Sequence, residues 1–367
     1  MPKKISGLAL ILLLIFCSPR LAAADAPLVP ATVREAVPAA LEPGQDESWE
    51  AQRVTAELTG RGHKNETVTF INILTGHPFF DIKVKKGDRI LLQPDLSGGV
   101  PQYHLADFAR GKSLWLITGL FIISVLIIGG LKGAKALISL VGMGLAIATL
   151  ILPLILKGYN PILVTVGISS LLTGLFVFFI GGYGQKTIAA ILGTVGGLVV
   201  AGILALLIGK GGYLSGLSSE EAQMLQFMDS SIDFQGLLFS GIIIGALGAI
   251  LDVGISIASA MEQIKEADPK TDFQTLFQRG LRVGRDLIAT MSNTLILAYI
   301  GSSLPLLLLF HAHESNWAQI LNLDLIATEV VRAMAGSIGL TLAIPLTAFA
   351  AAFLLVKPQD KSKDAGS

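Results

Sequence analysis

The sequence has one cysteine in 367 residues, and only 15% of its residues are charged. The lone Cys17 excludes an intrachain disulfide and a cysteine-ligated metal centre, and it makes thiol redox chemistry a poor candidate. Lys and Arg balance Asp and Glu to a formal net charge of zero, which argues against nucleic acid as a partner. No phosphate-binding loop, nucleophile elbow, HExxH sequence or dinucleotide fingerprint stands in a fitting context. We therefore expect no enzyme activity and no cofactor.

Apolar residues dominate instead. They form 52% of the chain, with 40 glycines, and the mean hydropathy is +0.68. This composition is typical of transmembrane helices, in which small residues let helix backbones approach closely. The lipid bilayer is the first expected partner.

The N-terminus predicts a signal peptide over residues 1–24. Lys3 and Lys4 precede an apolar run from Ile5 to Cys17, and small residues at Ala22–Ala24 favour cleavage after Ala24. The alternative is an uncleaved anchor, although thirteen apolar residues are short for a membrane span. Residues 25–48 are rich in Ala, Pro and Glu and predict a flexible leader.

Residues 49–110 predict a small extracytoplasmic β-domain. Short β-type runs are separated by turn signals, which suggests four or five strands in a small barrel of OB or SH3 type. The predicted strands are Arg53–Leu58, Thr67–Leu74, Ile82–Val84 and Arg89–Leu92.

Residues 111–357 predict a mainly α, polytopic bundle of about seven transmembrane helices, followed by a cytoplasmic tail at 358–367. Each apolar run has 18 residues or more, enough to cross ~30 Å of hydrocarbon. The predicted spans are Leu114–Leu131, Ala136–Leu156, Ile162–Ile180, Ile188–Ile208, Gly236–Ala260, Leu287–Phe310 and Met334–Val356.

The distribution of basic residues predicts the orientation. With the β-domain outside, eleven Lys and Arg residues fall in or beside cytoplasmic loops and three in outer loops, as the positive-inside rule requires. The cytoplasmic set is Lys132, Lys135, Lys186, Lys265, Lys270, Arg279, Arg282, Arg285, Lys357, Lys361 and Lys363; the outer set is Lys157, Lys210 and Arg332.

Asp252 is the strongest candidate for a functional residue. It lies about 24 Å along the span that begins at Gly236, within the bilayer, where a carboxylate must be protonated, paired or facing water. It belongs to a helical stripe of small and polar residues that we expect to face protein: Gly241, Gly245, Gly248, Asp252, Ser256 and Ser259.

The sixth span returns in the opposite direction and places Asn293 at nearly the depth of Asp252, with Thr290 and Ser292 at the same level and Asp286 nearby. A carboxyl group beside amide and hydroxyl groups is what a proton or cation relay requires. The alternative is a buried hydrogen bond that locks two helices together.

Other polar groups give weaker signals. Glu329 and Arg332, at i and i+3, can pair at the outer entry to the last span, either as an interfacial salt bridge or as a gate. His311, His313 and Glu314 lie close together but lack a further donor, so we expect no metal site. The Gly193/Gly197 and Gly241/Gly245 pairs have the GxxxG spacing of helix packing.

Three segments give a family resemblance: GALGAILDVGISIASAM at Gly245–Met261, GRDLIATMSNTLILAYIG at Gly284–Gly301 and GSIGLTLAIPLTA at Gly336–Ala348. They resemble the bacterial YibE/YibF family of multi-pass membrane proteins, over about residues 49–356. The resemblance implies the bacterial inner membrane but no agreed substrate. In residue types alone, the acidic helix and the polar returning helix are also similar to the core of SecD/SecF and related proton-driven permeases.

Two functions remain open at this stage. The leading hypothesis is a permease or permease subunit for a small solute, coupled to protons through Asp252. The alternative is a non-transporting scaffold or sensor whose β-domain binds a partner. A homo-oligomer or a membrane partner protein fits either hypothesis.

Overall fold

The computed structural model describes residues 28–41, 46, 48–60, 66–77, 81–95, 101–312 and 316–356. The predicted signal peptide and the tail at 358–367 lie outside these residues, as do His313 and Glu314. The chain divides at Gly130 into two compact units.

The first unit carries a five-stranded antiparallel sheet. Its strands are β1 Val29–Ala39, β2 Glu50–Leu58, β3 Thr67–Leu74, β4 Arg89–Asp95 and β5 Gln102–Phe108, in the order β3-β2-β1-β4-β5. Alternate residues such as Val54, Ala56 and Leu58 point into one apolar core. The expected barrel is therefore wrong: β3 and β5 are the two edges of an open sheet, and no ladder in the described residues joins them.

The flexible leader predicted at 25–48 is also wrong, because it contains the central strand, β1. Pro30 and Pro38 obscured this strand in the sequence. β1 pairs with β2 over Ala31–Ala39 but with β4 only over Val29–Thr32. Each proline thus lies where β1 has a neighbour on only one side, so the missing N–H breaks neither ladder.

The predicted strand Ile82–Val84 is not a strand in the structure. Two amide side chains take the place of a ladder there: Asn72 Nδ2 donates to the Ile82 carbonyl at 2.8 Å, and Val84 N donates to Gln52 Oε1 at 3.2 Å. Val84 still fills the core of the sheet, with 1% of its surface exposed. The segment therefore keeps the apolar sequence pattern of a strand, although it lacks the backbone hydrogen bonds that define one.

The remainder of the described chain is helical. The helices are α1 Gly111–Ala146, α2 Leu152–Leu156, α3 Pro161–Gly181, α4 Gln185–Gly211, α5 Glu220–Met228, α6 Phe234–Ala267, α7 Phe273–Ser302, α8 Leu304–Ala312, α9 Trp317–Leu321 and α10 Asp324–Leu355; the π-helical turn Ile147–Ile151 joins α1 to α2. Side-chain caps at Asn160, Asp233 and Asp272 start α3, α6 and α7.

By length and composition the protein is a multi-pass membrane protein with five candidate spans, or six if the bent pair α7 and α8 counts as one. Two of the expected spans, Leu114–Leu131 and Ala136–Leu156, fall in one 46-residue run with no loop between them. Within this run only Gly130 has non-helical dihedrals, with φ 52° and ψ −133°. The expected span Leu287–Phe310 bends by 60° between α7 and α8.

Helices α4, α6 and α10 form the centre of the helical unit, and glycine makes their close approach possible. Gly197 of α4 and Gly339 of α10 lie so close that a Cβ at either would be within 2.9 Å of the other's carbonyl oxygen. Gly193 packs on Thr347 in the same interface, so the first GxxxG pair is a packing site as expected. Ile250 of α6, fully buried, completes the contact.

Helix α7 packs against this centre, and α1 packs against α3. Met261 and Ile257 of α6 lie against Gly280 and Gly284 of α7, and Phe176 of α3 lies against Gly142 of α1. The bundle has two ends. The Tyr159 end carries the loops before α3, α6 and α10, whereas the Lys186 end carries the loops before α4 and α7.

Candidate functional site

Asp252 lies near the middle of α6, about 27 Å from Phe234 and about 22 Å from Ala267 at 1.5 Å per residue. Apolar and small residues flank it on both sides, from Gly236 to Met261, in a helix long enough to cross the ~30 Å hydrocarbon layer, so the carboxylate lies inside a candidate span and away from both ends of that span. The side chain is exposed on the chain surface, and in the described residues no hydrogen bond or ion pair reaches it.

The Asp252 groove is the surface depression into which this carboxylate opens, with a volume of about 470 Å³. Its walls come from α1, α3 and α6. The residues that line it are Ala136, Ser139, Leu140, Met143, Gly144, Ile147, Phe176, Val177, Ile180, Ile244, Leu247, Gly248, Leu251 and Asp252. Asp252 is the one charged member of this set.

The small, polar stripe of α6 is largely open on the chain surface, contrary to the expectation that it faces protein, although Ser259 is half-buried and the Tyr299 hydroxyl of α7 approaches Gly245. Gly241, Gly245, Gly248, Asp252 and Ser256 are all exposed. The physical reason lies in the other side of α6, where branched residues such as Ile243, Ile250 and Ile257 fill the core against α4 and α10. The stripe therefore lies on the open surface of α6.

In the structure Asn293 lies slightly more than one helical turn from the level of Asp252. The contacts Met261–Gly280 and Ile257–Gly284 set the antiparallel register and place Asp252 level with Ala289, about 6 Å from Asn293 along the axis. Asn293 is exposed, nine residues and half a rotation from the packed Gly284. No hydrogen bond in the described part of the chain joins it to Asp252.

The other α7 candidates divide between two faces. Asp286 and Thr290 are exposed and follow the same outward line as Asn293, whereas Ser292 is half-buried toward the bundle. Thr290 Oγ1 donates to the Leu287 carbonyl at 3.2 Å. These residues make a polar outer face on α7 and do not gather around the carboxylate of Asp252.

Glu329 and Arg332 form the expected i, i+3 ion pair, at 3.5 Å between Arg332 Nη1 and Glu329 Oε1. Both side chains are largely shielded, and Glu329 Oε2 and Arg332 Nε have no hydrogen-bond partner in the described residues. Tyr299 of α7 lies close enough to interact electrostatically with both, and its hydroxyl rests against Gly245. Sequence reasoning missed Tyr299, because one tyrosine near a helix end carries no distinctive pattern.

Polar groups lie toward both ends of the bundle from Asp252, and we call them together the polar track; Gly245 and Gly248 separate Asp252 from the Tyr299 hydroxyl. Contact of Gly336 with Ala246 aligns α10 with α6, which places Arg332 about 15 Å from Asp252 along the bundle, toward the Tyr159 end. Toward the Lys186 end, Ser256 and Ser259 follow Asp252 on α6. There Lys186 donates to Glu262 at 2.5 Å.

Metal chemistry has no support in the described residues. They contain no group of three or more His, Cys, Asp or Glu side chains able to hold an ion. His311 lies near the end of α8 and is exposed. Ser139, another residue that sequence reasoning missed, lines the Asp252 groove, but its hydroxyl donates to the Lys135 carbonyl at 2.9 Å.

A family model described as YibE/F-like protein matches residues 117–357. The chain belongs to the YibE/F-like family. Neither a curated protein nor a solved structure gives a significant match, so the likeness to SecD/SecF-type permeases gains no support from them.

The YibE/F-like match covers the whole helical unit from Leu131 to α10, with the Asp252 groove and the Glu329–Arg332 pair. All five strands of the sheet precede residue 117. The family thus accounts for the helical bundle, whereas the resemblance expected for the β-domain is not part of the match.

Proposed function

We propose that this YibE/F-like protein is a permease, or a permease subunit, in which Asp252 carries protons across the membrane. The observation that supports it most is an unpaired carboxylate inside a candidate membrane span that opens into a groove. An intramembrane acid without an internal partner has a high energetic cost and marks an ion pathway by default. A purely structural carboxylate would be paired with a neighbouring helix.

The polar track supplies steps on both sides of this acid. Toward the Tyr159 end the Glu329–Arg332 pair and the Tyr299 hydroxyl are the candidate outer gate. Toward the Lys186 end the hydroxyls of Ser256 and Ser259 lead to the Lys186–Glu262 pair. Carboxyl and hydroxyl groups along one line, joined by water, are the usual elements of a proton relay.

We further propose seven spans, with α1 turning back at Gly130. The run from Gly111 to Leu156 is about 69 Å long, more than twice the ~30 Å hydrocarbon layer. Splitting it at Gly130 gives two segments that can each cross. An outer β-domain and a cytoplasmic C-terminus then follow, in the inner membrane of a bacterial cell, with Lys186 and Lys265 on the cytoplasmic side.

Cysteine reporters test these seven spans. In a Cys17→Ser background, an impermeant maleimide is applied to intact and opened cells carrying Lys112→Cys, Lys132→Cys or Lys157→Cys. Two crossings place positions 112 and 157 on one side and 132 on the other. A single crossing would place 112 and 157 on opposite sides and refute the split at Gly130.

Proton flux tests the role of Asp252. The purified full chain is reconstituted in vesicles that enclose a pH-sensitive dye, and a potassium diffusion potential drives proton entry. We expect flux well above that of protein-free vesicles, loss of that flux in Asp252→Asn, and retention in the carboxylate control Glu266→Gln, which is exposed near the end of α6. Equal flux in Asp252→Asn and the parent would reject the proposed relay.

A scaffold or sensor function has one observation in its favour. Strand β3 is an edge of the open sheet, and Ile71 and Ile73 on its outer face are 44% and 37% exposed. A free edge with apolar side chains is a site for strand addition by a partner protein. If Ile71→Lys abolishes function while Asp252→Asn does not, the scaffold function is preferred.

A further inference from the structure

The Asp252 groove combines apolar walls with a single charge. Leu140 and Ala136, which are exposed, and Met143, which is half-buried, contribute hydrocarbon and thioether surface, and Asp252 contributes one carboxylate. The one hydroxyl, that of Ser139, is already a donor to its own helix. A ligand in this groove therefore meets one negative group and otherwise apolar surface.

No basic side chain of the groove neutralises this carboxylate. Lys135 of α1 lies over the ring of Phe179 at 5.7 Å, and Lys186 of α4 pairs with Glu262. Neither these lysines nor Lys132 line the groove, and no lining residue other than Asp252 is titratable. Any positive charge beside the carboxylate must come from a proton or from the ligand.

The chemistry of the lining selects among ligand classes. Metal cations such as Ca²⁺ require several oxygen ligands, whereas the groove offers the two oxygens of one carboxylate. An anion would be repelled by Asp252, and a neutral polar solute would find no further hydrogen-bonding groups to replace water. An organic cation with an apolar body matches both the single negative charge and the apolar walls of the groove.

We propose that the Asp252 groove binds a lipophilic organic monocation, with its positive centre at Asp252 and its apolar groups against α1 and α3. This inference rests on the proposed function, because it names the substrate class of the same site. One carboxylate cannot hold a proton and a cation together. Binding of the cation therefore competes with protonation of Asp252.

Two ions of matched shape and opposite charge provide the probe. Tetraphenylphosphonium and tetraphenylborate are added separately to the full chain in lipid nanodiscs, and the ligand bound in excess of that taken up by protein-free nanodiscs of the same lipid is measured by equilibrium dialysis. We expect the phosphonium to bind, the borate to bind at least about tenfold more weakly, and phosphonium binding to fall at least about tenfold in Asp252→Asn. Glu266→Gln should bind as the parent does. Phosphonium binding should also weaken at lower pH, as protons compete.

A second variant keeps the carboxylate of Asp252 and fills the groove beside it. A Cβ at Gly248 would meet nothing within 4 Å, so Gly248→Leu can fill the groove without striking the backbone. We expect it to lose phosphonium binding while it elutes as the parent does on size exclusion. Gly248→Leu tests the proposed cation site if Asp252→Asn fails to fold.

Three outcomes would overturn the inference: no phosphonium binding, equal binding of both ions, or parental binding in Asp252→Asn or Gly248→Leu. These failures differ from failure of the proposed function. Asp252-dependent proton flux without phosphonium binding rejects the cation site alone. Phosphonium binding without proton flux supports the site and rejects the relay.

Discussion

Replacement of Gly193 by alanine tests how α4 is seated on α10. A Cβ at Gly193 would lie 2.6 Å from Thr347 Cβ and 2.8 Å from Thr347 Cα, which is closer than real Cβ atoms approach other carbons. Thr347 cannot turn away, because the second of these contacts is with its backbone and its hydroxyl donates to the Ala343 carbonyl at 2.7 Å. The two helices must therefore move apart.

The expected loss of stability in Gly193→Ala follows from two opposing effects. Overpacking of a close interface costs about 1–3 kcal/mol, while alanine is favoured over glycine by about 1 kcal/mol within a helix. Because separation of α4 and α10 also loosens Gly197 from Gly339, we expect the upper part of this range to apply. The net loss should be about 1–2 kcal/mol in the free energy of unfolding.

Gly167→Ala is the matched control, since a Cβ at that position of α3 would meet nothing within 4 Å. Both variants are unfolded by dodecyl sulfate in mixed micelles and followed by circular dichroism. We expect the control to equal or exceed the parent and Gly193→Ala to fall below it. Equal stability of the two variants would refute the register of α4 on α10.

Two further predictions concern charged groups. Arg332→Leu leaves Glu329 without its cation in a shielded position. It should lower the free energy of unfolding by about 1–3 kcal/mol in the same assay, more than the double variant Glu329→Gln/Arg332→Gln does. An equal loss of stability in both variants would show that the ion pair contributes nothing to stability. Hydrogen bonds to Asp81, first from the Thr75 backbone and then from the Gly76 backbone, lower the pKa of its carboxyl below the ordinary 3.8. The stability they contribute is present above pH 3.8 and is lost as pH falls through the lowered pKa, so Asp81→Asn should flatten the acid limb of unfolding followed by near-ultraviolet signals. An unchanged acid limb would show that Asp81 does not contribute to the pH dependence of stability.

The sequence predicted those features that depend on local pattern. Thr67–Leu74 matches β3 in both bounds, and the Gly193 and Gly197 pair packs as its spacing indicates. The central strand β1 was missed, because its two prolines are tolerated only through the staggered pairing with β2 and β4. That stagger depends on tertiary structure and has no local signal.

The candidate site shows the same division. Sequence periodicity grouped Asp252 with the glycines of α6, and hydropathy predicted that it lies within the bilayer. Which face of α6 is buried depended on the branched residues that fit α4 and α10, so the small stripe was assigned to the wrong environment. The role of α1 and α3 as groove walls, through residues such as Met143 and Phe176, also required the three-dimensional arrangement.

Thiol accessibility at position 252 tests most directly whether this position opens into a groove. With Cys17 replaced by serine, Asp252→Cys and the control Ile250→Cys each contain a single thiol, and Ile250 is fully buried between α4 and α10. A small cationic methanethiosulfonate is added to vesicles that hold the protein, and modification is followed over time. We predict rapid modification at 252 and a rate at least roughly tenfold lower at 250, since thiol reaction follows access. An unreactive thiol at 252, or equal rates at both positions, would contradict the account.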